Sequence, residues 1–290
     1  PMFTRNVSPG IRQIVRAHVV SWDAAEVHVI GSGDFSVEKS LPEPIAVQAS
    51  DYSLPTCALG AAITGRPFPV ELSRRYRDVY PFLPNYLTDP YSVAAAVLQL
   101  TTLVAGFTQH PVAGPRYHAA MLRSWPARHA QIRASLLDSP FKLASFTPST
   151  PIDYLAHLPD SASVVVLPPG PATAEDRINA VVDWPAPPVP RWDEAAMCDI
   201  LPRFRQWVAV SPSRLPFPLI GKSGSSYIYG VTETSDKVGR PRWLLPYTPG
   251  HIPRLGLAEA LGDSLTLAPM TVGEFNVQRV ATAELADSPA

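Results

Sequence analysis

The chain has 290 residues, 46% of them hydrophobic and 17% charged, with a formal net charge of −1. That is enough apolar material for a sizeable core in one large domain or two small ones, and it lacks the overall basicity of a protein that holds nucleic acid by charge alone. Two distant cysteines, Cys57 and Cys198, give neither metal-ligand spacing nor a disulfide framework, so they read as free thiols in a reducing compartment.

No apolar run reaches the ~18–20 residues that span a bilayer, and no signal-peptide pattern opens the chain. Pro1 ahead of Met2 reads as an addition before a natural start. The 34 prolines are spread through the chain, well above the average of about 5%, and predict long irregular connections. Ser8 to Val20 is a predicted helix, with Ser8 as cap, Pro9 at the first position and Ile11, Ile14, Val15 and His18 on one face. Val27–Ile30 is a predicted strand and Phe35–Leu41 a turn or short helix. Ile45–Gln48 is a second strand that ends near Asp51, and Leu54–Thr64 a helix of small residues. From Pro67 to about Pro140 the spacing is mostly helical, over Glu71–Val79, Ser92–Phe107 and Tyr117–Leu137. Phe141–Phe146 and Ser163–Leu167 are the next strands, with a helical turn at Ile152–His157 between them. Beyond Arg203 the period shortens, giving strands at Trp207–Val210, Ser226–Val231 and Arg242–Leu245.

Strands alternating with helices imply an α/β fold around a largely parallel sheet, whose ligands sit at the carboxyl ends of the strands. Two unusual strand ends fall there. VHVIGSGDFSVEKSL (27–41) places Gly31, Ser32 and Gly33 behind an apolar run, and VVVLPPG (164–170) places Pro168 and Pro169 behind another. Glycine permits a sharp turn and close backbone approach. Asp51, at the end of the following strand, stands where a carboxylate accepts hydrogen bonds from ribose hydroxyls. GSGDFS is not a full dinucleotide fingerprint, because Ser36 replaces the third glycine. The residues alone therefore leave two readings open: a nucleoside-type site, or a tight turn with a solvated Asp51.

Other motifs carry less. GKS at 221–223 has Pro216 where a phosphate loop needs glycine, so it reads as a hairpin turn. His110, His118 and His129 are too unevenly spaced for a metal helix, and no metal ligand set is assigned. Arg74, Arg75 and Arg77, or Arg123, Arg128 and Arg133, form either a phosphate-contacting stripe or, as charge runs more often do, a solvated face.

The order of apolar strand, G-x-G turn, acidic second-strand end and Pro-Pro element resembles that of Dam-type adenine-N6 DNA methyltransferases. More closely, the chain is similar to the antirestriction adenine methylases of phages and mobile elements. The resemblance rests on VHVIGSGDFSVEKSL, ASDYSLPTCALG (49–60), VVVLPPG and VVDWPAPPVPRWDE (181–194), and covers roughly residues 5–210. It implies a Rossmann-like S-adenosylmethionine-dependent methyltransferase fold. In it, residues 5–66 and 141–290 form the core and residues 67–140 a helical insertion. It implies S-adenosylmethionine as cofactor, held by Gly31, Ser32, Gly33, Phe35 and Asp51, and DNA as partner, in the cytoplasm of a bacterial host and with no membrane. The catalytic half would be Leu167, Pro168 and Pro169; nearness in sequence offers Asp183 or Asp193 as a substitute acceptor and Trp184, Trp192 or Tyr227 as a substitute stacking surface. This half departs from the family pattern: Leu167 stands where an Asp or Asn accepts from the adenine amine, and Gly170 where an aromatic ring stacks on the base. Three functions follow: methyl transfer to adenine in DNA, a catalytically silent relative that binds DNA or a host partner, or the same fold redirected to another acceptor.

Overall fold

The computed structural model describes residues 7–109, 114–168, 178–187, 193–235 and 241–243. In chain order the first elements are α1 (Pro9–Val20), β1 (Glu26–Ile30), β2 (Ala46–Asp51), α2 (Leu54–Ile63) and β3 (Glu71–Leu72). Helices α3 (Pro90–Gln109), α4 (Gly114–Arg123) and α5 (Trp125–Leu137) follow, then β4 (Ser145–Pro148), α6 (Pro151–His157), β5 (Ser163–Val166) and β6 (Val182–Asp183). The last are α7 (Glu194–Ile200), β7 (Gln206–Ser211), β8 (Leu219–Ser223), β9 (Ser226–Ser235) and β10 (Pro241–Trp243).

Capping chemistry sets several of these boundaries. Ser8 accepts the Ile11 amide at the start of α1, and Thr150 accepts the Asp153 amide at the start of α6. Asp89 accepts the amides of Tyr91 and Ser92 ahead of α3. Each satisfies amides that a helix start leaves without partners.

Eight strands form one sheet in the order β10-β9-β7-β5-β1-β2-β4, with β8 also paired to β9. The five strands β4, β2, β1, β5 and β7 run parallel, while β8, β9 and β10 are antiparallel additions. The sheet is mixed α/β and mostly parallel, consistent with a Rossmann-like fold. Side chains alternate between two cores, as the two-residue strand period requires. Val27, Val29, Val165 and Val208 point into one, packed with α1, α2 and α3; Ile30, Val164, Val166 and Trp207 point into the other, under α6 and α7. Burying both faces explains why the central strands read as near-continuous apolar runs. Helix α2 lies hard against β4: a side chain on Gly60 would meet the Phe146 ring at 2.3 Å.

Several expectations are corrected. The helical spacing of 71–79 does not become a helix. Glu71 and Leu72 pair antiparallel with Asp183 and Val182, and only Arg74–Tyr76 makes a 3₁₀ turn. The tie of the Ser73 amide to Val181 O reinforces the extended path. The predicted helix 117–137 is two helices, α4 and α5, broken at Ser124. Pro126, in the first turn of α5, has no amide with which to continue the ladder. The third parallel strand lies at 145–148 rather than 141–146, because Phe141 and Leu143 pack as loop residues before the chain reaches β2. GKS belongs to β8 and its hairpin into β9. Leu244, Leu245, Pro169, Gly170 and Trp192 lie outside the described residues.

Candidate functional site

The strand order reverses between β1 and β5, the kind of switch point, with connections leaving in opposite directions, at which open α/β sheets bind ligands. Gly31 follows β1 and Leu167 follows β5, whose amide donates to Ile30 O at 2.8 Å. The two odd strand ends of the sequence therefore meet. Their contact is tight. Gly31 has φ +81°, and a Cβ there would lie 2.5 Å from the Leu167 carbonyl oxygen. Glycine is required here both by the left-handed backbone and by the chain's own neighbouring strand.

The turn is pinned to the end of β2. The amides of Gly31 and Ser32 donate to Ser50 O, and the Ser32 hydroxyl donates to Ser50 O as well as to Val29 O. The Gly33 amide donates to Asp51 Oδ2 at 2.9 Å, while Asp51 Oδ1 accepts the amides of Tyr52 and Ser53, both at 2.8 Å. Asp51 is 1% exposed. It is thus not the solvated aspartate of the open alternative but a clamp joining the glycine turn to the start of α2. A carboxylate has about four lone-pair positions, and backbone amides take three of them. Thr56, not singled out by the sequence, completes the clamp: its hydroxyl donates to Gly33 O and accepts from Ser53. The S-x-x-T spacing at 53–56 was the only signal for it.

Phe35 takes a left-handed backbone, φ +58°, and its ring is buried against Phe141 and Phe146. A bulky residue held at positive φ is strained, and such strain concentrates at functional turns. Three residues on is Glu38, which the sequence gave no reason to notice. It is 2% exposed, and burial pushes its carboxyl up to about 8, with Asp51 and Asp34 adding to the rise. Ser32 lies near enough to temper that rise, but its hydroxyl bonds go to Val29 and Ser50, and no hydrogen bond of regular geometry reaches either Glu38 oxygen. The hydroxyls of Ser36 and Ser50 are also buried without partners. Unused polar capacity is thus concentrated around the glycine turn. In folded proteins such groups are few, and they commonly mark water or ligand positions.

The other half of the edge differs. Leu167 is 2% exposed with its side chain in the core, and Pro168 is half-buried beside it. Asp183 is exposed on β6, opposite Glu71 of β3. Trp184, next to it, packs on Phe68 and donates to Asn179 Oδ1.

A polar chain on β1 resembles catalytic machinery but is built against it. Glu26 contacts His28 Nε2 at 3.1 Å, and His28 Nδ1 contacts Tyr154 OH at 3.1 Å. Burial lowers the imidazole and pushes the phenol up to about 12, the opposite of an activated base and nucleophile.

A mostly parallel α/β sheet with a glycine turn and a second-strand carboxylate at its switch point is the class the structure gives, consistent with a Rossmann-like fold. Residues 3–216 match the family described as phage DNA adenine methylase-like domain 1, and the chain belongs to that family. Membership bears out the resemblance carried by the motifs and supports a methyltransferase-like function. No curated protein and no solved structure matches the chain. Among the described residues no helix is long and apolar enough to cross a membrane.

Proposed function

We propose that the protein is an S-adenosylmethionine-dependent DNA methyltransferase that acts on the adenine N6 amine of phage or mobile-element DNA and so counters restriction in a bacterial cytoplasm. The observation that carries this reading is the meeting of the glycine turn and the Leu167-Pro168 strand end at the β1/β5 switch, in a member of a DNA adenine methylase-like family. The strand order, five parallel strands followed by an antiparallel hairpin, suits a methyltransferase core of residues 5–66 and 141–290, with 67–140 as the insertion. The residues present fit a polar nucleoside ligand, since Ser36, Glu38 and Ser50 offer unpartnered groups beside the turn.

In this reading Gly31, Ser32, Gly33, Phe35 and Asp51 form the cofactor side. Asp51 acts by holding the turn in the shape that would receive the cofactor. S-adenosylmethionine, when bound, supplies an activated methyl group. The chain's own task is to orient a poorly nucleophilic amine, whose lone pair is delocalised into the base. Leu167 offers no side-chain acceptor, so the backbone carbonyls of Leu167, Pro168 and Pro169 carry that task, with Asp183 as the substitute acceptor. Transfer is accordingly slow.

The same burial of Leu167 favours a second reading, a relative that keeps the cofactor side and binds DNA or a host partner without turnover. One assay separates them. The protein is incubated with S-adenosylmethionine and DNA from a host lacking adenine methylation, and N6-methyladenine is quantified by mass spectrometry. Accumulation above a no-enzyme control supports transfer to adenine. Cofactor binding by calorimetry without any methylated base supports the silent relative.

A further inference from the structure

The charge of the chain is unevenly distributed. Although the whole carries −1, residues 67–140 hold seven arginines against four carboxylates, and no lysine. Two of those arginines are ion-paired, Arg133 with Asp89 and Arg77 with Glu71. Arginine-only basic surface suits phosphate, because the guanidinium fork donates in pairs to phosphate oxygens.

The densest part is the 3₁₀ turn Arg74–Tyr76 with Arg77 behind it. Arg74, Arg75 and Arg77 are exposed. The turn is tied by bonds and ring contacts, unlike an ordinary solvated charge run. Its preceding residue, Ser73, is bonded through its amide to Val181 O and through its hydroxyl to Ala180 O. Arg75 stacks over Tyr76, which stacks in parallel on Tyr80 at 6.2 Å, and Tyr80 OH contacts His118. Arg77 donates to Leu72 O and contacts Glu71 at 3.6 Å, both groups well exposed. The chain that leaves Pro168 returns at Val182–Asp183 to pair with Glu71–Leu72. The basic turn is therefore fastened to β6, the next described strand after Pro168 in the chain.

We infer that the Arg74–Arg75–Arg77 turn is a phosphate-backbone contact for duplex DNA, fixing the register of the strand presented to the β1/β5 edge. The inference rests on the reading of that edge as a DNA-modifying site. Phosphate contacts position nucleic acid without reading sequence, and each one adds close to one unit to the dependence of log affinity on log salt.

The test compares two double variants that remove equal charge, Arg74→Ala/Arg75→Ala on this turn and Arg203→Ala/Arg205→Ala on the approach to β7. Binding of a short fluorescein-labelled DNA duplex is followed by anisotropy across a salt series, and S-adenosylmethionine binding by calorimetry. The Arg74/Arg75 pair is expected to weaken DNA binding roughly tenfold or more and to lower the salt slope by about two, with cofactor binding unchanged. The Arg203/Arg205 pair leaves the slope near that of the wild type, and Arg74→Lys/Arg75→Lys retains it. A wild-type slope in the Arg74/Arg75 pair overturns the inference while leaving the DNA reading intact. So does an equal loss in both alanine pairs, or a loss in the lysine pair as large as in alanine. A wild type that binds cofactor but no duplex at any salt concentration overturns the DNA reading itself, and the inference with it.

Discussion

The two strand ends that meet at the β1/β5 edge are built by opposite means. On the β1 side the polypeptide is held by polar bonds. Asp51 gathers three backbone amides, Ser50 two, and Thr56 the Gly33 carbonyl, with several buried polar groups left over. On the β5 side it is held by packing, with Leu167 driven into the same core as Val165 and Val29. A polar, pre-shaped turn with spare hydrogen-bonding capacity is suited to receive a ligand. A strand end that spends its key side chain on the core has only backbone to offer a substrate. The comparison teaches that two strand ends meeting at one edge can be held by opposite means, and that the difference is visible in where each side chain points.

Substitutions can break or sharpen that contrast. The largest expected effect is at Leu167. If its side chain serves the core, Leu167→Ala costs about 2–5 kcal/mol, the usual range for a buried leucine, measured by urea denaturation. A stable Leu167→Ala protein with altered methylation would instead place Leu167 in the chemistry. Next is Asp51→Ala, which orphans buried amides and is expected to cost about 1–3 kcal/mol and to abolish cofactor binding together with the order of the turn. Loss of binding with unchanged stability would show Asp51 to be a ligand contact rather than a clamp. Gly31→Ala is smaller. The left-handed backbone alone costs about 1–2 kcal/mol, and the approach to the Leu167 carbonyl adds to it, so the variant should melt lower and perturb both strand ends at once.

The mildest test is one of pH. The Glu38 carboxyl is raised in the fold, to about 8, above its value in the unfolded chain. The folded state then holds its proton longer, so the stability contributed by Glu38 is complete at acid pH and is lost as pH rises toward about 8. Glu38→Gln, which cannot ionise, should melt progressively higher than the wild type across that window and not below it. Parallel melting curves for the two proteins would mean that Glu38 has a polar partner in solution.

Much of the architecture was legible because buried parallel strands are short, apolar and punctuated, as VHVIGSG and SVVVLPP are. The pairing of the two odd stretches in one edge was legible for the same reason, since both sit at carboxyl ends. What was not legible depends on backbone partners. No sequence rule says that Asp51 will spend its oxygens on its neighbours' amides, or that Gly31 is needed for the Leu167 carbonyl. The buried Glu38 lies in VEKSL, which reads as an ordinary turn with a solvated charge. The β3–β6 pair is two residues long and joins segments over a hundred positions apart, too short for any period to reveal. The break at Ser124 was readable in principle, since Pro126 sits inside the helical pattern.

The central claim is that the β1 half is an intact cofactor cradle. Calorimetric titration of S-adenosylmethionine into the wild type and into Gly33→Val tests it most directly. Gly33 holds φ +58° beside Asp51, a left-handed backbone that a branched side chain strains. The account predicts saturable binding to the wild type and none to Gly33→Val, with the sheet still folded by circular dichroism. A wild type that gives no heat at millimolar cofactor, or a Gly33→Val protein that binds as tightly as the wild type, would contradict it.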